Sequence, residues 1–233
     1  MYIIHIELGG NMDTNEILKQ FSNKIDKLTY TDEKKSWVVS DEITIGWKNV
    51  LPKPPSNTSE RTKKEIEYLS ELTKSLTPSQ RALVDLVDKE PLDLFNDTLK
   101  RNNLKFDKSQ FDKIHNITHN VIMNLKHQYN RPRPEQLAPL YGLKINVIET
   151  KTHHTPAYPS GHTAYTAFGA YLLSDMYPEF SNEFFRQVGV AGYARCLQGV
   201  HYPSDNEASM VISGALWEDL RYKLFPNLYS FER

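Results

Sequence analysis

The sequence predicts an all-α, single-domain helical bundle over residues 51–233, preceded by an N-terminal extension, 1–50, that is irregular or partly β. Three observations predict this. A proline-rich breaker at residues 51–57 divides two patterns. Beyond it, apolar residues recur every three or four positions with charges between them. Caps and prolines then mark where such segments start and stop.

Within the extension, residues 2–6, 37–39 and 43–47 read as short strands in a mixed background. The breaker, with Pro52, Pro54 and Pro55, is expected to run extended across the helical part. Ile66, Leu69, Leu72 and Leu76 then form the apolar face of a helix. Thr77, Pro78 and Gln80 are a helix start: threonine at the N-cap, proline first, glutamine third. Leu83, Val84 and Val87 are its apolar face, and Pro91 opens a short helix through Phe95. Ser109 is expected to cap a long helix, with Asp112 at its third position and Phe111, Ile114, Ile117, Val121, Met123 and Leu125 as apolar positions. Lys126 falls near its end, where Pro132 and Pro134 stop it. A helix over 162–177 carries Ala164, Ala167, Gly169 and Ala170, small residues that let neighbours approach. Two more helices are read over 180–195 and 206–224.

Bulk properties narrow the function. Lys+Arg is 28 and Asp+Glu is 29, which argues against a general nucleic-acid or anionic-membrane binder but leaves room for a local basic pocket. Cys196 is the only cysteine, so no intrachain disulfide forms. No stretch reaches ~18 uninterrupted apolar residues, so no transmembrane helix is expected. The first 20 residues have neither a basic region nor a long apolar run, so no signal peptide is read and a cytoplasmic or otherwise soluble setting is expected.

Three short blocks carry the chemistry. The first is Lys126, then Arg133-Pro134 after six residues; the second is Pro159-Ser160-Gly161-His162; the third is Arg195, His201 after five residues and Asp205 after three more. Ser160 suits an N-cap and Gly161 admits close approach of a ligand, at a helix N-terminus that favours anions. A plain capped helix start is the competing explanation. Lys126 and Arg133 supply a point charge and a planar fork for oxyanions. Basic residues in such a stretch are more often solvated surface, and Arg131 competes with Arg133 for the role; only the lysine spacing favours Arg133. A carboxylate at Asp205 would fix the tautomer of His201 and leave its other nitrogen free to attack. Taken alone, His201 is more often a partly buried structural histidine, and Asp205 a cap for the last helix. Together the blocks supply what phosphoryl transfer requires: cations and N–H donors around the oxygens, a nucleophile and an acid.

The order and spacing resemble the superfamily of type-2 phosphatidic-acid phosphatases, class A acid phosphatases and vanadium haloperoxidases, in its soluble branch. That family's pattern is K-x6-RP, PSGH and SR-x5-H-x3-D; Ala194 stands here in place of the serine before the arginine. The resemblance implies a helical bundle of that type and a metal-independent phosphatase acting on phosphomonoesters or pyrophosphates. By it, Lys126, Arg133, Arg195, Ser160 and Gly161 would bind phosphate, His201 would become phosphorylated, Asp205 would orient it and His162 would protonate the leaving group. No cofactor is implied, vanadate would bind as a phosphate mimic, and the partner is a small phosphorylated substrate. A homodimer suits the type, though no interface is legible. The alternatives are a vanadium-dependent haloperoxidase, whose family members are usually longer chains, and a non-catalytic anion-binding protein. His115 and His119, four apart, are a zinc-like pair without a third ligand nearby; an exposed or packing role is expected of them. His153 and His154 are expected in an entrance loop.

Overall fold

The computed structural model describes residues 14–150 and 152–229, and all regular structure among them is α or 3-10 helix. The predicted strand at residues 2–6 lies outside the described residues. In chain order the α-helices are α1 (Thr14–Asp26), α2 (Glu60–Leu72), α3 (Pro78–Lys89), α4 (Asn96–Arg101), α5 (Lys108–Tyr129), α6 (Pro134–Leu137), α7 (Gly161–Met176), α8 (Ser181–Leu197) and α9 (Pro203–Leu224). No helix among the described residues is long and apolar enough to cross a membrane.

Helix α7 is the centre of the bundle, packed mainly against α8 and α9 and also against α5. It has no charged residue before Asp175, and buried positions such as Thr163, Ala164, Leu172 and Gly169 lie on all its sides. A helix apolar all round must be surrounded by others. Gly169 permits one close approach: a Cβ there would stand 2.8 Å from the Phe95 ring and 2.9 Å from Leu92. The 91–95 turn therefore rests directly on the α7 backbone.

The capping box predicted for α3 is present: Thr77 Oγ1 accepts from Gln80 N and Gln80 Oε1 accepts from Thr77 N. For α5 the cap is Asp107 rather than Ser109, because the carboxylate reaches forward to accept the Ser109 N–H at 2.9 Å. The helix ends at Asn130 in the left-handed conformation, φ 47°.

The extension differs from its prediction in two respects. Its first described element is a helix, α1, whose Ile25 is buried in a cluster with Ile66 and Leu69 of α2. Residues 37–39 and 43–47 form no strand, and Trp47 starts a 3-10 turn; side chains of helices hold the backbone of Trp37, Val38, Thr44 and Ile45 instead. Asn124 accepts the Trp37 N–H at 2.9 Å and donates to the Trp37 carbonyl at 2.8 Å, and one turn earlier Asn120 donates to the Val38 carbonyl. Asp219 of α9 accepts the N–H groups of Thr44 and Ile45. An extended segment whose donors and acceptors are met this way needs no sheet partner. The breaker does run extended: the hydroxyls of Tyr129 and Tyr158 donate to the Leu51 and Pro52 carbonyls.

Asn124→Ala removes both bonds to Trp37 and leaves a partly buried N–H and carbonyl unpaired. It is expected to lower unfolding stability by about 1–2 kcal/mol, read as the urea midpoint. An unchanged midpoint would show that this ladder does not hold the segment.

Candidate active site

The spacing of the third block is the geometry of two helix ends. Helix α8 closes with a Schellman motif: Val200 N–H donates to the Arg195 carbonyl at 3.3 Å and Gly199 N–H to the Cys196 carbonyl at 2.9 Å. Gly199 has φ 78°, and a Cβ there would stand 2.8 Å from Ile145. Arg195 thus sits in the last turn of α8, and the chain leaves at Val200. His201 follows, then Tyr202 as N-cap of α9 and Pro203 at its first position. Asp205 is the third residue of α9, where its Oδ2 accepts the Tyr202 N–H at 3.0 Å and lies 3.0 Å from His201 Nδ1. One carboxylate oxygen both caps the helix and orients the histidine, although Asp205 is not itself the N-cap.

The first block spans the end of α5 and the start of α6. Arg133 is the N-cap of α6, with Gln136 Oε1 accepting its N–H at 2.8 Å. Its guanidinium is held by the Thr155 carbonyl (2.8 Å) and the Val200 carbonyl (2.6 Å), and Nη1 lies 3.0 Å from His201 Nε2. Arg131 has a different position. It donates to Asp205 Oδ1 at 2.6 Å, to Ser204 Oγ at 2.8 Å and to Glu65 at 3.3 Å, with its guanidinium 3.8 Å from the Tyr202 ring centroid. The geometry therefore separates the two arginines: Arg133 faces the free nitrogen of His201, and Arg131 neutralises the carboxylate behind it. Lys126, buried at the end of α5, donates to the Pro156 carbonyl at 2.8 Å.

An arginine only donates hydrogen bonds, so the contact with Arg133 assigns the lone pair of His201 to Nε2. The proton then lies on Nδ1, facing Asp205. The tautomer follows from the neighbours on each side.

Ser160 is at the N-cap of α7 as expected, but its donors are taken. Its N–H donates to the Asp205 carbonyl at 3.2 Å. Its hydroxyl pairs with Thr163 Oγ1 at 2.9 Å; because Thr163 donates onward to Asn206, the proton of that pair comes from Ser160. In this structure the serine ties α7 to α9. The N–H groups of Gly161 and His162, at the first two positions of α7, have no acceptor within the helix. Gly161 stands against the lysine, since a Cβ there would be 3.8 Å from Lys126 Cε.

The charges are crowded and buried. Burial and then Arg133, Lys126 and Arg195 hold the His201 pKa well below that of a free imidazole. Burial and then Arg195 bring His162 down to about 3. Lys126 is lowered by burial and Arg133, and Arg133 falls to about 10 through burial. These shifts share a cause: cations lie near one another in a desolvated space with too little negative charge. An oxyanion placed among them would reverse each shift.

Two carboxylates missed in the sequence complete the site. Asp88, at the end of α3, accepts from Arg195 Nη1 at 2.9 Å, and its carbonyl lies 3.3 Å from His162 Nε2. Glu65 of α2 accepts from the Ser204 N–H at 2.9 Å and its hydroxyl at 2.7 Å. A signal existed for both: Asp88 lies four residues after the buried Val84, and Glu65 four before the buried Leu69, so each falls within an apolar stripe. Among the described residues no group of three or more His, Cys, Asp or Glu side chains could hold a metal ion.

Comparison with known proteins agrees with the motifs. Residues 114–227 match the family model described as the PAP2 superfamily, so the family resemblance read from the three blocks holds over that segment. A non-specific acid phosphatase of Providencia stuartii is 30% identical over 115 residues, 45% of each chain. One from Salmonella typhi is 39% identical over 56 residues, 24% of this chain and 22% of that protein. The matched part is therefore less than half the length of these relatives. A solved structure, a transmembrane PAP2-type phosphatidylglycerolphosphate phosphatase from Bacillus subtilis, has a TM-score of 0.44 at 15% identity, covering 75% of this chain and 88% of that one.

The depressed histidines have a consequence for stability. The unfolded chain takes up protons near pH 6.5, whereas folded His162 stays neutral to about pH 3. Stability is therefore fully present above 6.5 and is lost as pH falls toward 3, by at most about 1.4 kcal/mol per pH unit for each such histidine. The Tm is expected to drop between pH 7 and 5, and to drop less in His162→Asn; identical profiles for the two proteins would contradict the shift.

Proposed function

We propose that this chain, which carries a PAP2-superfamily segment, is a metal-independent phosphatase that hydrolyses phosphomonoesters or pyrophosphates through phosphorylated His201. The observation that carries this is the His201 tautomer: Nδ1–H rests on a buried carboxylate while the Nε2 lone pair faces a cluster of buried cations. A buried structural histidine would not need three cations around its free nitrogen.

The phosphoryl oxygens are taken by Lys126, Arg133 and Arg195, with the Gly161 and His162 N–H groups at the positive end of α7. Arg133 turns its donors from Nε2 to the substrate, and the lone pair then faces phosphorus. Nε2 forms the N–P bond as the bond from phosphorus to the leaving oxygen breaks. That oxygen takes its proton through His162, which receives one from the substrate monoanion as it passes one on, and the imidazolium of phosphorylated His201 is balanced by Asp205. Water then attacks phosphorus, the electron pair of the N–P bond returns to Nε2, and phosphate is released. Fixed side-chain cations supply the charge neutralisation that metal ions supply in other phosphoryl transferases. Asp88 holds Arg195 in place and its carbonyl orients the imidazole of His162.

His201→Ala is expected to abolish p-nitrophenyl phosphate turnover, at least about 10³-fold, with an unchanged far-UV CD spectrum. In the wild type, excess chelator leaves the rate unchanged and orthovanadate inhibits. Retained turnover in His201→Ala would refute the nucleophile, and loss of activity restored by a divalent cation would refute metal independence.

The pH dependence follows from the low pKa of His162. Free enzyme enters the reaction with this imidazole neutral, so the proton for the leaving group arrives on the substrate monoanion. Phosphate monoesters lose that proton near pH 6. Accordingly kcat/KM is expected to fall about tenfold per unit above roughly pH 7. A kcat/KM that stays level to pH 9 would exclude this proton path.

A further inference from the structure

The cavity that opens from the cationic cluster is far larger than a phosphoryl group needs. Its volume is about 700 Å³, and Lys126, Gly161 and His162 line it at the phosphate end. It runs between α5 and α7. His119 and His115 lie seven and eleven residues before Lys126 on α5, two and three helical turns back on the same face, so the wall extends roughly 10–16 Å from the lysine. Tyr165 faces them from α7.

The wall is built of neutral rings. His115 stands perpendicular to Tyr165 with centroids 4.5 Å apart, and His119 packs on His115 at 5.3 Å. Burial lowers the pKa of His115 and raises that of Tyr165 to about 12, so neither is charged at neutral pH. Among the described residues no protein group hydrogen-bonds the ring heteroatoms of His115, His119 or Tyr165. The rest of the lining between the rings and the phosphate end is apolar: Ile122 and Met123 of α5 and Phe168 of α7. Charged side chains line the cavity at the phosphate end and beside the rings, where the Glu90 and Asp112 carboxylates lie near Tyr165 and Glu90 is paired with Lys108.

This lining discriminates between kinds of leaving group. An alkyl chain would cover the apolar surface but strand the ring heteroatoms without partners. A polyol would satisfy the rings and leave the apolar surface bare. A second phosphate would sit against uncharged rings and beside the Asp112 and Glu90 carboxylates, where Lys108 is already paired with Glu90. A neutral ring with its own hydrogen-bonding group matches both sides.

We propose that the cavity is a leaving-group site selecting phosphomonoesters whose alcohol carries a neutral, hydrogen-bonding aromatic ring, with His115, His119 and Tyr165 as specificity-determining residues. The proposal rests on the phosphatase function above. The test compares three primary-alcohol monoesters, so that leaving-group basicity is similar: 2-(4-hydroxyphenyl)ethyl phosphate, n-octyl phosphate and sorbitol 6-phosphate. Wild-type kcat/KM is expected to be roughly tenfold higher for the first than for either of the others, the size of one well-made contact. In His119→Ala and His115→Ala that advantage falls about fivefold or more, while inhibition by orthovanadate at the phosphate end keeps its constant within about twofold. A wild type with no preference, or variants that lose all three substrates equally, would overturn the proposal while leaving the phosphatase function intact. A wild type that hydrolyses none of them, nor p-nitrophenyl phosphate, would overturn the phosphatase function and the specificity with it.

Discussion

The Asp205 carboxylate is fully buried, and each of its oxygens is committed. Oδ2 receives the Tyr202 N–H and faces His201 Nδ1; Oδ1 receives Arg131. Its backbone carbonyl accepts the Ser160 N–H, which joins the start of α9 to the start of α7. A buried charge with these partners is strongly held, and without them it would be a large penalty. The arrangement therefore constrains four segments at once: the cap of α9, the histidine before it, the loop between α5 and α6, and the first turn of the central helix. Arg131 extends the chain of contacts to Glu65 on α2, so the second apolar cluster is coupled to the same point.

The electrostatics of the site follow from how unevenly this compensation is shared. Arg131 lies between two carboxylates, and Arg195 has Asp88. Lys126 and Arg133 rest on backbone carbonyls and, among the described residues, have no carboxylate in contact. Carbonyl dipoles orient a cation without cancelling it. The residual positive charge is thus localised where the Nε2 lone pair points, and the low pKa values of both histidines are its signature. Burial alone would lower them; the neighbouring cations deepen the effect and make it responsive to an incoming anion.

Much of this was legible in the chain because motif spacing and helix-end geometry are the same information. Thr77 with Gln80, Pro203 before Asp205 and Pro134 after Arg133 each mark a helix start, and the site is assembled from such starts and stops. What escaped was what depends on a partner far along the chain. The choice between Arg131 and Arg133 required Asp205, 74 residues from Arg131. Ser160 was legible as a cap but not as a donor to Thr163, which required Asn206. Asp88 and Glu65 have their partners, Arg195 and Ser204, 107 and 139 residues away. The extended residues 37–39 kept the composition of a strand, yet their partners were asparagines of a helix 82 and 87 residues away in sequence.

The stretch from Arg195 to Asp205 has one further property. Its ends are clasped from within: the Schellman bonds close one helix on Arg195 itself, and the Asp205 side chain closes the next one on Tyr202. Eleven residues therefore form a self-measuring clasp whose length cannot change by even one residue without opening a helix end. Insertions in exposed stretches elsewhere, such as residues 32–36, alter only segments that run over the surface. Variation in chain length among relatives should accordingly collect outside this clasp, and a single inserted residue within it should disable the site while most of the bundle remains folded.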